Sequence, residues 1–512
     1  MRDTPMHTRE LPLTLAPWAL FRVLARKEQP FFIDAGRPWG DEWVSSMGFS
    51  PRMQFRVDAG IGASVFSTLS DVVATMASRA ATARARPLPF AGGAVVALAY
   101  EAKNEIERLP QSQHEDPAAP RLVATIYDAV VAYDHRRRRW LVASWHLDAA
   151  ALARYADEVM DAAGAVRAHR DGAAEGADAT DTDGGVSRAA RHRDELEELS
   201  ADRQAGITVN LDRDAYEARV ARVRAYIAAG DVYQANLSMR LDAPLTASAL
   251  ATYGRLRSVQ PVPFGGYFDL GDVQVLSNSP ELFLRRRGDR IETCPIKGTR
   301  RRGRSAAEDT SLAAELRRDA KQRAEHVMIV DLERSDLGRV CRTGSVHVER
   351  LAALATFRTL HHLVTSVRGT LRPGIGVADL LRATFPGGSI SGAPKIRALG
   401  IIDEVECGPR GFYTGALGWI DASGDLDLNV AIRTAVATRG RLTYSVGSGI
   451  VADSDPAREY AECRLKAEVF LRALPTDGRE TPALAAPSAA DAWTRDADAT
   501  SPHDGAWALR TG

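Results

Sequence analysis

Cysteine is scarce in this chain. The four cysteines, Cys294, Cys341, Cys407 and Cys463, lie far apart, and no two of them form a Cys-x-x-Cys pair. A chain of 512 residues can bury enough apolar surface to fold without disulfide bonds. The pattern therefore excludes a small disulfide scaffold and gives no sign of a zinc ribbon. We interpret the cysteines as free thiols in a reducing compartment.

Long apolar runs and an excess of one charge are also absent. The N-terminal stretch MRDTPMHTRELPLTLAPW lacks the apolar core of a signal peptide, and no window approaches the roughly 18 apolar residues of a membrane helix. We therefore expect a cytoplasmic protein. The 66 basic and 66 acidic side chains cancel, so no overall field favours nucleic acid or a membrane.

The composition divides the chain into four regions. Residues 1–165 contain short apolar runs punctuated by Gly, Pro and Asp, which predict antiparallel strands and hairpins. Residues 166–206 have no aromatic residue and few large aliphatic ones, so we expect a flexible insertion. Residues 207–475 form a dense catalytic region, and residues 476–512 are predicted to be a disordered tail.

Periodicity predicts the main elements of the catalytic region. Apolar residues at helical spacing predict a helix from Arg213 that ends before Gly230, and a second helix carries Glu325 through residues 311–340. The stretch LDLNVAIRTAVA, residues 426–437, alternates like one strand with Asn429 and Arg433 on the same face. Asp455 is predicted to cap the last helix.

A lysine stands out in the stretch TCPIKGTRRRG, residues 293–303. Lys297 follows a strand-like run and precedes a glycine, so its side chain is expected to be held rather than solvated. Burial and neighbouring cations, here the arginines between 300 and 304, lower the pKa of an ammonium group and make the free amine a nucleophile. A surface lysine is the ordinary alternative.

Nine motifs, in order, resemble the chorismate-utilising enzymes, strongly from 215 to 470 and more faintly in the N-terminal half. The resemblance implies an α+β fold in which two large antiparallel β-sheets pack face to face with helices outside. It also implies a Mg²⁺-dependent reaction on chorismate, a cyclohexadiene with two carboxylates. The motifs are DVYQANLS, SPELF, PIKGT, AEHVMIVDLERSDLGRV, HHLVTSVRG, FPGGSISGAPK, GFYTGALGWI, LNVAIRT and VGSGIVADSDPAREYAECRLKA.

The resemblance implies roles for two groups of residues in the site. Glu325 and Glu462 match the family's magnesium ligands, and Glu281 matches the general acid that protonates the departing C4 hydroxyl, which needs a raised pKa. The residues that match the family's remaining substrate contacts are Arg433 and Tyr413 at the pyruvyl carboxylate, His362 near the ring carboxylate, Lys466 at a carboxylate, and Gly298, Thr299, Gly447 and Gly449 as backbone donors.

Within the family, Lys297 indicates the branch. A lysine in PIKGT resembles aminodeoxychorismate synthase component I, whereas anthranilate synthases carry an alanine there. The resemblance implies that Lys297 forms a covalent intermediate with the ring and that the product is 4-amino-4-deoxychorismate. Isochorismate and salicylate synthases place a water-activating lysine in the equivalent of YQANLS, where this chain has Gln234, Ala235 and Asn236, which argues against water as the nucleophile. One alternative is an anthranilate-type or aminodeoxyisochorismate synthase in which Lys297 is incidental. The others are a scaffold that has lost turnover, and nucleic-acid binding through the arginine clusters at 136–139 and 300–304.

Three further expectations follow from the sequence. No cysteine lies in the glycine-rich elbow of a class I glutaminase, so ammonia is expected from a glutamine amidotransferase subunit. The stretch GGSISGAPK lacks the Gly-Lys-Ser/Thr ending of a phosphate loop, so ATP binding is rejected. Ser335 replaces the family's usual asparagine, and residues 31–51 lack the leucine-glutamate-serine element associated with tryptophan feedback, so tryptophan inhibition is not predicted.

Overall fold

The computed structural model describes residues 6–40, 42–60, 62–77, 88–107, 109, 119–174, 206–357 and 360–474. Most of the predicted insertion and the whole predicted tail lie outside these residues, although the third helix continues to Ala174. The helices are α1 (Pro17–Leu24), α2 (Val65–Ala77), α3 (Ala149–Ala174), α4 (Arg213–Ala228), α5 (Ala249–Val259), α6 (Ala306–Arg318), α7 (Ala320–Gly338), α8 (Val377–Thr384), α9 (Lys395–Val405) and α10 (Pro456–Leu471).

The strands of the described residues all pair antiparallel. They are β1 (His7–Leu11), β2 (Phe31–Asp34), β3 (Val44–Gly48), β4 (Met53–Asp58), β5 (Gly93–Leu98), β6 (Pro120–Tyr127), β7 (Ala129–Asp134), β8 (Arg139–Ser144), β9 (Thr208–Val209), β10 (Gln234–Pro244), β11 (Phe264–Asp269), β12 (Val273–Ser279), β13 (Leu282–Arg287), β14 (Arg290–Cys294), β15 (Ile296–Arg301), β16 (His347–Thr356), β17 (Leu360–Thr370), β18 (Gly392–Ala393), β19 (Ala416–Asp421), β20 (Leu426–Val430), β21 (Thr434–Thr438) and β22 (Arg441–Ile450).

The strands form two sheets. Within the described residues, the larger sheet has twelve strands in the order β1-β8-β7-β3-β2-β11-β12-β21-β22-β10-β18, with β9 paired to β10. The smaller sheet has ten strands in the order β15-β17-β14-β13-β20-β19-β5-β6-β4, with β16 paired to β17. Strands from both the N-terminal region and the catalytic region enter each sheet, so the two regions fold as one unit.

Three apolar cores hold the sheets and helices together. The inner core lies between the sheets and includes Val95, Val123, Val275 and Trp419. The outer face of the larger sheet packs on α1, α3, α4, α5, α9 and α10, and that of the smaller sheet on α2, α7 and α8. Face-to-face packing with helices outside follows because each sheet is apolar on both faces. The predicted fold class is confirmed.

Two elements that were predicted to be continuous are each divided in the structure. The single helix predicted over 311–340 is two helices, because Asp319 adopts extended backbone and caps α7 by accepting from Gln322 N at 3.0 Å. The single strand predicted over 426–437 is broken after Val430. Its first half, β20, belongs to the smaller sheet and its second half, β21, to the larger one.

Other local predictions are confirmed. Helix α4 buries Tyr216, Val220 and Val223, and Asp455 caps α10 by accepting from Arg458 N at 2.9 Å. Among the described residues, no helix is both long enough and apolar enough to span a membrane.

Candidate active site

Lys297 is aimed by a bulge in strand β15. The register of β15 against β17 shifts between Lys297 and Thr299, and Gly298 between them has a φ of +71°. A residue with a side chain rarely adopts this conformation, and a Cβ here would lie 3.0 Å from Leu316 Cδ1. The bulge directs the amine inward, where Nζ donates to the backbone carbonyl of Ser389 at 3.0 Å.

The surroundings of Lys297 favour its neutral form. Burial lowers the pKa of the amine, the Lys466 cation lowers it further, and the Glu325 and Glu281 carboxylates oppose the shift. The arginines that follow Lys297 were expected to supply this effect. They form ion pairs with acidic side chains instead: Arg300 with Asp319, Arg301 with Glu308 and Arg302 with Asp309.

Glu281 lies beside this amine at the turn between β12 and β13. The side chain is 4% exposed, and one carboxyl oxygen accepts from Ile296 N at 3.3 Å. Burial raises its pKa to about 7, against the lowering effects of a hydrogen bond from the Ser389 side chain and of the Lys297 charge. A carboxyl group with this pKa holds a proton about half of the time at pH 7, so it can act as an acid.

Two glycines on one face of β22 let other residues of the site pack closely against this strand. Gly447 and Gly449 are two residues apart, so both face the same side of the strand. A Cβ on Gly447 would lie 3.0 Å from the Tyr413 hydroxyl, and one on Gly449 would lie 3.5 Å from Lys297 Nζ. Lys466 Nζ donates to Gly447 O at 2.7 Å, so α10 also reaches this surface.

Arg433 is a half-buried cation without a carboxylate partner among the described residues. Its guanidinium donates to Gln260 Oε1 at 2.9 Å, which is a neutral acceptor. Its backbone has a φ of +52°, at the crossing between β20 and β21, and such left-handed backbone is uncommon outside glycine. A half-buried guanidinium with a neutral partner favours an anionic ligand such as a carboxylate.

His362 faces the same space from β17. Its Nδ1 lies 3.0 Å from Gly298 O and 3.2 Å from Thr299 Oγ1. Because a carbonyl oxygen only accepts, we assign the proton to Nδ1, and Nε2 is then an acceptor that is buried without a protein partner. Burial lowers the pKa of His362 to about 3, with Arg433 adding to the effect, so the ring is neutral.

Glu325 of α7 and Glu462 of α10 approach the site from the two sheets. Each sits near Lys297, and the charge of Glu462 helps burial to raise the pKa of Glu325. Glu462 pairs with Lys466 at 2.7 Å, and this cation lowers its pKa. The described residues contain no group of three or more metal-ligating side chains. Two carboxylates still fit Mg²⁺, which commonly takes one or two protein carboxylates plus oxygens of water and substrate.

The structure therefore brings together all the residues that the sequence analysis assigned to the site. Three others were missed. Ser389 holds Lys297, Gln260 holds Arg433, and Gln234 is fully buried with neither side-chain polar atom bonded to protein. Ser389 could have been found from the sequence, because it lies in the motif GGSISGAPK. No sequence pattern marks Gln260 as a site residue.

A separate cavity lies between the sheets, lined in part by Ile33, Arg37, Glu42 and Asn429. Its volume is about 60 Å³, and the Trp39 ring lies against Phe264 at its edge with 5.2 Å between centroids. Small-molecule sites typically have about 300 to 1,000 Å³. Tryptophan inhibition was not expected from the sequence, and that stays a prediction.

Comparison with known proteins gives the family. A family model described as chorismate binding enzyme matches residues 28–472. This chain belongs to the chorismate-binding enzymes. The match covers both sheets and every site residue described above, so the chain is a chorismate-utilising enzyme.

Individual relatives of this chorismate-binding enzyme differ in their reactions. Aminodeoxychorismate synthase component 1 of Bacillus subtilis is 37% identical over 393 residues, covering 77% of this chain and 79% of that protein. Anthranilate synthase component 1 of Streptomyces coelicolor is 42% identical over 388 residues, covering 75% and 73%. The crystal structure of anthranilate synthase component I from Streptococcus pneumoniae TIGR4 matches with a TM-score of 0.66 and 28% identity over 85% of this chain and 92% of that one.

The close contacts of Gly449 give a testable prediction. A Cβ there would lie 2.5 Å from Gln234 Nε2, so Gly449→Ala must displace the amide or Lys297. We expect the rate of chorismate consumption to fall by roughly a hundredfold, because a misplacement of about 1 Å at a reacting group costs this much. Gly408→Ala is the control, since nothing lies within 4 Å of its Cβ. Equal activity of the two variants would contradict the assignment of β22 to the site.

Proposed function

We propose that this chorismate-utilising enzyme is an aminodeoxychorismate synthase component I, which replaces the C4 hydroxyl of chorismate by an amino group. The observation that carries the proposal is the Lys297 amine, held by Ser389 O with a lowered pKa beside the protonatable Glu281. The relative from Bacillus subtilis carries this name, and family resemblance associates lysine at this position with that branch.

The proposed chemistry is two displacements. The neutral Lys297 amine attacks C2, the ring double bond shifts, and the C4 hydroxyl leaves as water with a proton from Glu281. The secondary ammonium that forms loses a proton. Ammonia then attacks C4, the double bond shifts back, and the C2–N bond breaks as Glu281, which took up the proton of the secondary ammonium, protonates the departing Lys297 amine. The new C4 ammonium loses a proton to give the amino product. Dividing one difficult displacement into two easier ones is the general advantage of covalent catalysis.

Three groups bind and orient the substrate in this proposal. Arg433 and Tyr413 take the pyruvyl carboxylate, since the guanidinium has only a neutral partner. Lys466 and the backbone of Gly447 and Gly449 lie along the opposite wall. His362, with Gly298 and Thr299, lies toward the ring carboxylate. Its Nε2 is an acceptor, so it takes a hydrogen bond from a substrate hydroxyl or a water and none from the carboxylate itself.

Glu325 and Glu462 would hold Mg²⁺. Bound there, the ion supplies Lewis-acid neutralisation of the ring carboxylate. Glu325 lies on α7 and Glu462 on α10. Without a cation between them, their two negative charges repel each other across the site. This arrangement supports a cation between them.

Ammonia is proposed to come from a glutamine amidotransferase partner. The names of the relatives from Bacillus subtilis and Streptomyces coelicolor include the words component 1, which implies a further component in each of those enzymes. Ammonia is small and neutral, so transfer from a docked subunit would keep it from protonation in bulk water.

Anthranilate synthesis is the second candidate, because the Streptomyces coelicolor relative is 42% identical. In that reaction nitrogen is added at C2, and Lys297 would be incidental. The fully buried carboxamide of Gln234 near Lys297 is compatible with either nucleophile position.

Replacement of Lys297 separates the two candidates. Lys297→Ala should reduce 4-amino-4-deoxychorismate formation by roughly a thousandfold or more, because the nucleophile of the first displacement is lost. Products from chorismate, Mg²⁺ and ammonium are separated by HPLC, with the exposed Lys27→Ala as control. Mass spectrometry of the wild-type chain without ammonia should detect a Lys297 adduct. Wild-type rates in Lys297→Ala would indicate direct amination, and a fluorescent anthranilate product would favour the second candidate.

Glu281 gives a prediction with a pH dependence. Glu281→Gln should lower turnover by about 10² to 10⁴-fold at pH 6, since a general acid supplies that much. The acid acts in its protonated form, and its pKa is raised to about 7. The ratio of wild-type to Glu281→Gln rates should therefore be constant below pH 6 and fall as pH rises above 7. A ratio that increases with pH would mean that Glu281 acts as a base.

The metal assignment is tested through its two carboxylates. Glu325→Gln and Glu462→Gln should each lower turnover at least about a hundredfold and raise the Mg²⁺ concentration for half-maximal rate, because a Lewis-acid ion contributes several kcal/mol. Glu468→Gln, on α10 in an exposed pair with Arg472, is the control. Undiminished wild-type activity in EDTA would contradict the assignment.

A further inference from the structure

The loop between α8 and α9 carries the motif GGSISGAPK, of which the proposed function uses only the Ser389 carbonyl. Residues 385–393 of this loop are buried, although they form only a short turn and a two-residue strand. On its inner face, Ser389 contacts both proposed catalytic groups. Its carbonyl accepts from Lys297 Nζ at 3.0 Å, and its hydroxyl lies near enough to the Glu281 carboxyl group to lower the pKa of that group.

The outer face of the same loop is attached to helix α7. Gly388 N donates to Glu333 Oε1 at 2.8 Å, so the residue before Ser389 is fixed directly. Lys395, at the end of the loop, forms an ion pair with Asp336 of α7. The same Nζ also donates to Thr384 O at 2.9 Å and to Pro386 O at 2.7 Å. All three protons of the ammonium group thus have acceptors, and two of these are backbone atoms at the start of the loop.

These attachments are made by buried charges, which are costly to remove from water. Glu333 is 3% exposed, and the side chains of Asp336 and Lys395 are 6% and 12% exposed. Burial raises the pKa of Glu333, with the nearby Asp336 charge adding to the effect, and burial also raises that of Asp336, which the Lys395 charge opposes. An apolar contact would be the cheaper way to fill this position, so the polar groups need another explanation.

Packing alone does not fix the outer face of the loop. A cavity of about 240 Å³ borders its outer face, lined in part by Ser335, Phe385, Pro386 and Pro394. The later residues of the loop are also held, by the pairing of β18 with β10 and by Arg410, which donates to Ile390 O at 3.0 Å. Gly388 and Ser389 precede these contacts, and space of this size would let them move away from Lys297 if α7 did not hold them. Hydrogen bonds with defined directions then have to set their position.

We propose that Lys395, Asp336 and Glu333 are positioning residues for the amination reaction: they fix the backbone of Gly388 and Ser389, and through Ser389 they place Lys297 and Glu281. The inference rests on the proposed function of those two side chains. The loop bonds neither Arg433 nor Lys466, which are held by Gln260 and Gly447. Loss of the attachment therefore lowers kcat for chorismate and leaves KM nearly unchanged.

The main test separates positioning from stability. Lys395→Met should lower kcat by roughly tenfold or more, with KM within about threefold, because small displacements of reacting groups reduce the rate strongly. It also leaves Asp336 buried without its partner, which lowers Tm. The double variant Lys395→Met with Asp336→Leu removes that charge and should recover Tm, while kcat stays low because the bonds to Thr384 O and Pro386 O remain lost. Recovery of kcat together with Tm would overturn the proposal.

Lys103→Met is the matched control. It removes another buried lysine, whose amine bonds Asn104 and Asp403 and no atom of the loop. We expect a lower Tm and an unchanged kcat per folded molecule. A fall in kcat equal to that of Lys395→Met would assign both effects to general loosening and would overturn the proposal.

A second pair of variants covers the case in which Lys395→Met does not fold. Glu333→Gln keeps an oxygen that can accept from Gly388 N, so its kcat should stay within about threefold of wild type. Glu333→Leu has no acceptor and should lose roughly tenfold or more in kcat. Equal values for the two variants would overturn the positioning role of Glu333.

Turnover is measured as total loss of chorismate with ammonium and Mg²⁺, whichever product forms. If Lys297→Ala is inactive while Lys395→Met and Glu333→Leu keep wild-type kcat, only the positioning inference fails. If Lys297→Ala itself keeps wild-type turnover, the proposed function fails, and the inference fails with it.

Discussion

The hydrogen bond from the Lys297 amine to the Ser389 carbonyl is the interaction on which the site depends. It joins β15 to the loop after α8 across the centre of the pocket, and it holds a lysine where burial lowers its pKa. The bulge at Gly298 makes this direction available, because the positive φ turns the strand at that residue. Glu281, Glu325 and Lys466 are all close enough to act on the charge of this amine.

Charge in the pocket is balanced in a way that suits a doubly negative substrate and a divalent cation. Arg433 and Lys466 carry positive charge, Glu325 and Glu462 carry negative charge, and Glu281 is partly protonated near pH 7. Without ligands, Glu462 and Lys466 neutralise each other at 2.7 Å, while Arg433 has only a neutral partner. A dianion together with Mg²⁺ would give every charged side chain an opposite charge, which agrees with the proposed chemistry.

Sequence reasoning located the chemistry better than it located the connections. The motif context identified Lys297, Glu281 and the helix carrying Glu462, and periodicity identified α4 and α10, because these depend on local pattern. It failed where tertiary structure overrides pattern. The alternation of residues 426–437 continues without interruption, yet the chain changes sheets in the middle, and no local signal marks Ala431 as the crossing. Asp319 likewise divides a helix that its flanking residues would continue.

The crossing between β20 and β21 also constrains how the two sheets can move. Ala431, Ile432 and Arg433 are the direct covalent link from one sheet to the other at the wall of the pocket, and Arg433 has left-handed backbone there. Any sliding of one layer over the other would rotate the peptide planes of this link and swing the guanidinium. A substrate bound to Arg433 would therefore oppose sliding of one sheet over the other.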